Sequence, residues 1–227
     1  MRRFLLAVFC AAGCSMLWAL EPGDFVTHGP PTAKRVALSF DDGPGPFTPQ
    51  VLDILKKNGL HATFFMNGDQ VKIRPLFAKR VHAEGHEIGD HTYSHRNFYT
   101  YKATDPKIKL KAQMELSKQV IQQTTGVTPV LCRMPYGYSR AWVRPIAKEY
   151  GYVLVNWTFG CDWTKMTPEA KRTAYIKAIH PGAIFLMHDG GIHREGTLYA
   201  LEGLIEELKK RGYEMVTVGE LIGINPQ

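Results

Sequence analysis

The chain has 227 residues, with 28 Lys plus Arg against 21 Asp plus Glu, a formal net charge of +7 and four cysteines. Its basic residues are scattered, with no tract or motif that reads nucleic acid, which excludes that class of partner. A mild positive surplus suits an anionic cell wall or membrane surface, and ordinary solubility charge explains it equally well.

Residues 1–20 do not read as part of a fold. Met1-Arg2-Arg3 is basic, and an uncharged apolar run of 17 residues follows from Phe4 to Leu20. Ala19 serves as the small residue of a cleavage site, and Glu21-Pro22-Gly23 opens the mature chain, so the segment reads as a secretory signal peptide. Two alternatives stay open. A run of this length sits at the short limit for a membrane anchor, and Ala11-Ala12-Gly13-Cys14 loosely resembles a lipoprotein box. The expectation is a secreted or periplasmic protein, membrane-associated only if this segment is retained or lipidated. Its removal takes away Arg2 and Arg3 and no acid, leaving 207 residues with 26 basic against 21 acidic side chains. That length suffices for one domain. After an N-terminal segment over 21–33, no repeat, low-complexity tract or linker interrupts 34–222. Cys10 and Cys14 fall in the signal. Cys132 and Cys161 remain, too few for a disulfide scaffold; buried free thiols and a single bridge between strand ends are both open.

Apolar β-rich runs then alternate with amphipathic helical patterns. The sequence predicts a strand over 36–40 and a helix opened by Thr48-Pro49 and ended by Asn58-Gly59. A strand over 62–66 follows, then a helix through Phe77 and Val81 closed by Gly85, and a short strand over 87–89. Asp105-Pro106 caps a long helix ended by Gly126. Strands over 130–132, 152–157, 183–187 and 214–218 are separated by helices over 140–150, from Thr167-Pro168, and over 198–211. Seven strands with intervening helices point to parallel βα units.

The polar residues of interest fall at strand ends. Asp41 and Asp42 follow the first strand, His91 and His95 the third, Arg133 the fourth, Asp162 the fifth and His188 the sixth. In a parallel barrel those ends share one face. An open doubly wound sheet would spread them along a line, so the pattern predicts an α/β fold of the distorted (β/α)7 barrel type, with its site at the C-terminal ends of the strands.

His91-Thr-Tyr-Ser-His95 places two imidazoles one helical turn apart if the segment coils. With Asp42 they form a His2Asp set, three ligands with an open position, suited to zinc or a related divalent ion. Adjacent aspartates cannot both enter a core, and the spare carboxylate is free to act as a base on water. His28, His61, His82, His86, His180 and His193 sit in patterns that read as helix, turn or loop.

Ser-Phe-Asp41-Asp42-Gly-Pro, His91-Thr-Tyr-Ser-His95, Arg133-Met-Pro-Tyr-Gly137, Cys-Asp162-Trp163 and Leu186-Met-His188 occur in the order and rough spacing of the polysaccharide deacetylases. The chain resembles this family, the NodB-homology domain of carbohydrate esterase family four, from about Val36 to Val218. Ala62-Thr-Phe-Phe65 and Gly85-His-Glu-Ile-Gly89 add to the likeness. The resemblance implies a distorted (β/α) barrel over 34–222, a divalent metal, and hydrolysis of N-acetyl groups on a glycan. Carried over by motif, Asp41 is the general base, and Asp42, His91 and His95 are the metal ligands. Arg133 holds the base. The backbone N–H of Tyr136 binds the oxyanion. His188 is the general acid, Asp162 keeps it charged, and Trp163 and Leu186 line the acetyl pocket. Zinc is the first expectation for the metal, with cobalt or nickel able to substitute.

Two positions depart from the family pattern. Gly160 stands in a run that has no acidic residue before Asp162-Trp163, which puts groove contacts there in doubt. Met134 stands where a proline is common. The leading expectation is a deacetylase of a β-linked N-acetylglucosamine polymer such as peptidoglycan or chitin. An O-acetyl esterase on xylan uses the same water attack. A catalytically silent glycan-binding module predicts a missing base or ligand, and each motif position carries its polar group.

Overall fold

The central strand, β2 (Arg35–Gly43), is buried along almost its whole length, as a strand covered on both faces must be. In the computed structural model, which describes residues 20–224, this strand sorts its side chains by the period of two. Val36, Leu38 and Phe40 join an outer cluster with Phe64, Met66 and Phe185. Ala37 joins an inner one with Phe65, Val155, Ile184 and Val218. Fully burying side chains of this size stabilises the fold by about 1.5–3 kcal/mol each. The alternation places Ala37, Ser39 and Asp41 in one inward column, so the column turns polar toward the strand's C-terminal end. The signal read over 1–20 lies outside the described residues except for Leu20, as do Cys10 and Cys14.

The remaining strands are β1 (Phe25–Val26), β3 (Thr63–Met66), β4 (Glu87–Asp90), β5 (Leu131–Cys132), β6 (Val153–Val155), β7 (Ile184–His188) and β8 (Glu214–Val216). All their pairings are parallel. The order is β1-β6-β5-β4-β3-β2-β7, with β8 on the start of β2. The sheet curls until the segment after β6 meets β7 at the bridge between Phe159 and Phe185. This is the expected distorted barrel, curled and barely closed. Each of the seven anticipated strands is present, although β6 is shorter than 152–157, and Val218 belongs to a helix rather than to β8. The two-residue β1, which ties the 21–33 segment to β6, was not anticipated.

The helices are α1 (Thr48–Asn58), α2 (Gly68–Ile73), α3 (Pro75–Ala83), α4 (Pro106–Thr125), α5 (Val143–Glu149), α6 (Pro168–Lys177), α7 (Glu195–Lys210) and α8 (Val218–Ile222). Helix α4 follows its signals closely. The Asp105 side chain accepts from the Lys107 N–H, Pro106 opens the first turn, and Gly126 ends the helix at φ 80°, a left-handed conformation that glycine adopts at little cost. Among the described residues no helix is long and apolar enough to cross a membrane.

Cys132 and Cys161 are both buried and free, so of the two open readings the structure takes free thiols.

Candidate active site

The C-terminal strand ends bring the predicted residues to one rim. Asp41 on β2 lies in register with His188 on β7 and with Phe65 on β3, so the two polar side chains stand at the same height. Asp41, Asp42, His91, His95, Tyr136, Trp163, Leu186 and His188 line one cleft of about 540 Å³, together with Trp157 and Arg194. That size suits a small-molecule or sugar site. Arg133 and Asp162 lie behind it, buried.

His91 and His95 are not one turn of helix apart. The segment after β4 is irregular, and Thr92 (φ 65°) and His95 (φ 49°) both take left-handed backbone conformations. Such conformations cost about 1–3 kcal/mol each and persist only where surrounding contacts impose them. Several contacts do so here. Asn67 Nδ2 donates to the His91 carbonyl at 2.8 Å, and the Gly68 and Asp69 N–H groups donate to the carbonyls of Thr92 and Tyr93. Gln113 of α4 accepts from the Ser94 N–H at 2.9 Å. Asp90, fully buried, accepts from the Thr92 N–H and from the Tyr152 hydroxyl, both at 2.6 Å. Burial, the largest influence, raises the Asp90 carboxyl to about 6 despite these bonds.

The three candidate ligands converge. One ligand atom from each of Asp42, His91 and His95 lies within 4.8 Å of the others, the one such group among the described residues. Asp42 Oδ1 is 3.2 Å from His95 Nε2 and 3.5 Å from His91 Nε2, yet it is buried with no hydrogen-bond partner. His91 Nδ1 is 2.6 Å from the Arg133 carbonyl. A carbonyl only accepts, so Nδ1 carries the proton and Nε2 of the neutral ring presents its lone pair. With that ring neutral, as a metal ligand must be, its Nε2 lone pair faces Asp42 Oδ1, an arrangement that a cation between them relieves. Two imidazoles and a carboxylate form a donor set suited to a zinc-like ion, and the residues present fit a divalent metal. Burial is the largest influence on the Asp42 carboxyl and pushes it up. When the imidazoles are protonated instead, His91, His188 and His95 outweigh burial and carry it well below the usual carboxylate range.

Asp41 is held from behind. Arg133 Nη1 donates to Asp41 Oδ1 at 2.7 Å and to Ser39 Oγ at 2.9 Å, and Ser39 donates on to the Phe185 carbonyl. The guanidinium is 4.1 Å from the Phe65 ring centroid. A Cβ on Gly89 would stand 2.4 Å from that ring, so glycine on β4 is what lets Phe65 lie beneath the arginine. Asp41 Oδ2 remains 3.7 Å from His91 Nε2.

On β7, beside Asp41, His188 is held in its turn: Asp162 Oδ1 accepts from His188 Nδ1 at 2.8 Å, and Oδ2 accepts from the His188 backbone N–H and from the Thr197 hydroxyl. His188 Nε2 lies 4.0 Å from Asp42 Oδ2. Burial is the largest influence on His188 and disfavours its charge. The hydrogen bond and charge of Asp162, with the charges of Asp41 and Asp42, outweigh burial and raise its pKa. Trp163 stands edge-on to His188 at 5.4 Å, and Tyr136 (φ 59°) covers His95 at 4.7 Å. Gly160 now has a reason. A Cβ there would meet both the Trp163 ring and the Leu186 carbonyl at 2.9 Å, so the departure from the family pattern lets the indole pack against β7. Met134 is buried in a hydrophobic cluster with Phe98, Leu110 and Tyr138.

Sequence reasoning passed over Asp189 and Thr48. Fully buried Asp189 accepts from the Thr48 hydroxyl, while Thr48 Oγ1 accepts from the Gly45 N–H at 2.7 Å. The Asp189 carboxylate lies against Gly43, where a Cβ would come within 2.4 Å of it. The turn after Asp42 is thereby fixed to the end of β7. Asp189 carries an ordinary Asp-Gly signal in sequence, so nothing there marks it.

The family profile described as polysaccharide deacetylase matches residues 28–155. The chain is 41% identical to the peptidoglycan-N-acetylglucosamine deacetylase of Bacillus cereus, over 89% of this chain and 95% of that one. It is 33% identical to the peptidoglycan-N-acetylmuramic acid deacetylase PdaA of Bacillus subtilis, over 93% and 80%. The fold superposes at a TM-score of 0.84 and 30% identity on a crystal structure of a peptidoglycan N-acetylglucosamine deacetylase in complex with 4-naphthalen-1-yl-N-oxidanyl-benzamide, covering 91% of this chain and 95% of that one.

Proposed function

The chain belongs to the polysaccharide deacetylase family, and from that premise we propose that it is a metal-dependent hydrolase that removes N-acetyl groups from a β-linked N-acetylglucosamine polymer, releasing acetate. The observation that carries this reading is a candidate base and a candidate acid, each held by its own partner, beside one cluster of ligands. Asp41, held by Arg133, and His188, held by Asp162, line the same cleft as Asp42, His91 and His95, with Asp41 Oδ2 3.7 Å from His91 Nε2 and His188 Nε2 4.0 Å from Asp42 Oδ2.

Asp42, His91 and His95 would hold the metal, which when bound acidifies water and polarises the acetamide carbonyl. Asp41 Oδ2 accepts the proton of the attacking water, while Arg133 keeps Oδ1 occupied and the carboxylate in place. The backbone N–H of Tyr136 donates to the oxyanion. Trp163 and Leu186 enclose the acetyl methyl group. His188 Nε2 gives its proton to the departing nitrogen, and Asp162 holds the ring through Nδ1. A catalytically silent module would lack the base or a ligand, and Asp41, Asp42, His91 and His95 are all present.

The test is acetate release from peptidoglycan, chitooligosaccharide and acetylxylan side by side, before and after chelation. Release from the N-acetyl substrates, lost on chelation and restored by zinc or cobalt, is the expected result. Release from acetylxylan alone would replace this reading with an esterase.

The ligand assignment has a readout independent of activity. Zinc at about 100 times its dissociation constant should stabilise the stripped protein by about 2.7 kcal/mol, which for a chain of this size raises Tm by roughly 5–10 °C. His91→Ala should abolish that shift and lose stoichiometric metal. An unchanged shift would place the metal elsewhere.

Residues 1–20 are proposed as a secretory signal preceding the catalytic domain over 34–222, with a cell-envelope location. Sequencing of the exported protein should begin at Glu21. A chain beginning at Met1 in membranes would indicate an anchor, and a lipid on Cys14 a lipoprotein.

A further inference from the structure

The charged groups of the cleft pair off with one left over. Arg133 is bonded to Asp41 and His188 to Asp162, and Asp42 faces two imidazoles. Arg194 also lines the cleft, and no carboxylate among the described residues lies within ion-pair distance of it. Its Nε donates to the Gly190 carbonyl at 2.9 Å, the one hydrogen bond its side chain makes among the described residues. Gly190 is pressed onto the site, since a Cβ there would meet the Asp42 carbonyl oxygen at 2.0 Å and the Asp42 Cβ at 2.6 Å. The half-buried guanidinium is therefore tethered at Nε to the backbone beside Asp42, and both its NH2 groups are free of partners among the described residues. A guanidinium fixed in this way has already lost much of its rotamer freedom, and it presents two donors in the geometry that a carboxylate accepts.

Resting on the deacetylase reading above, we infer that Arg194 determines specificity by binding a carboxylate carried by the glycan near the scissile acetamide, so that the preferred substrate is an acidic N-acetylated glycan and not a neutral one. Two sources supply such a carboxylate in a peptidoglycan strand: the lactyl ether of a muramic acid freed of its peptide, and the peptide stem itself. Chitooligosaccharide supplies neither. An exposed ion pair would contribute little, but a charge-assisted pair at the wall of a cleft changes binding by about 10–100-fold.

The experiment measures kcat/KM for acetate release by wild type and by Arg194→Gln on three substrates: chitooligosaccharide, peptide-free glycan with free lactyl carboxylates, and glycan with intact stems. Arg194→Gln should lose about 10–100-fold on at least one carboxylate-bearing substrate, mainly in KM, and several-fold less on chitooligosaccharide. Which acidic substrate suffers identifies the source of the carboxylate. Arg194→Lys should fall between wild type and Gln, since it keeps the charge but not the fork. A measurement on wild type alone guards against a misfolded variant: KM for the acidic substrate should rise with ionic strength while KM for chitooligosaccharide stays flat. Equal losses on all three substrates, or equal salt dependence, would overturn the inference and make Arg194 a support for the neighbouring Asp162, on which its charge also acts. Absence of acetate release by wild type from every substrate would overturn the deacetylase reading instead.

Discussion

Asp41→Asn is expected to keep its metal and lose about 10²–10⁴-fold in acetate release, the usual contribution of a general base. Asparagine is nearly isosteric, and its carbonyl can still accept from Arg133 Nη1, the bond that measures 2.7 Å in the native site. Asp42, His91 and His95 are untouched. What disappears is the oxygen that faces the ligand cluster, 3.7 Å from His91 Nε2, because an amide nitrogen cannot take a proton from water. The variant also leaves Arg133, fully buried, opposite a neutral partner. Breaking a buried ion pair by removing one partner costs about 3–5 kcal/mol. The retained hydrogen bond puts this substitution at or below the low end of that range. Melting temperature, metal content and turnover should therefore be measured together, with turnover taken well below the transition. A folded, metal-replete Asp41→Asn enzyme with wild-type turnover would falsify the base assignment and leave Asp41 a structural partner of Arg133.

How much of this was legible in the sequence follows from what each signal depends on. Asp41, Asp42, His91, His95, Asp162 and His188 are legible because they fall at predicted strand ends inside motifs that resemble the family's, and it is the resemblance that separates Asp162 from an equally placed residue such as Asp189. The central strand is legible from its β-rich run, since Val36, Leu38 and Phe40 give 36–40 one wholly apolar face. The conformation of 91–95 was not legible. Two residues there are held at positive φ by Asn67, the start of α2 and Gln113, and no local pattern records contacts made 19 or more residues away. The spacing of four suggested a helical turn, and tertiary hydrogen bonds overrode it. Asp189 and Thr48, 141 residues apart, carry only the signals of a turn and a helix start. The two-residue β1 and the short helices α2 and α8 are below the length at which periodicity shows. Gly160 was read as a gap in the motif, whereas its missing Cβ is what admits the Trp163 ring.

His188→Ala should depress hydrolysis of N-acetyl substrates strongly and hydrolysis of an activated aryl acetate much less. The difference lies in the leaving group. An amide nitrogen must be protonated to depart, whereas a phenolate leaves unaided, so only the first reaction needs a proton donor as the tetrahedral intermediate collapses. His188 is the donor proposed for that task, with Nδ1 held by Asp162 at 2.8 Å and Nε2 4.0 Å from Asp42 Oδ2. Its pKa is raised because Asp162, Asp41 and Asp42 together outweigh the burial that opposes its charge. The protonated form is therefore kept to higher pH than in a free histidine, whose pKa is about 6.5, and the alkaline limb of the N-deacetylase pH–rate profile reports its loss. Asp162→Asn removes the charge that raises His188 while leaving Thr197 a partner, so the proton should be lost at lower pH and that limb should move to lower pH, with metal content constant. The aryl acetate profile should not show this displacement, since it does not use the proton. Equal losses on amide and aryl ester in His188→Ala, with an unmoved limb in Asp162→Asn, would reassign His188 to positioning the substrate and leave the leaving-group proton to another donor in the cleft.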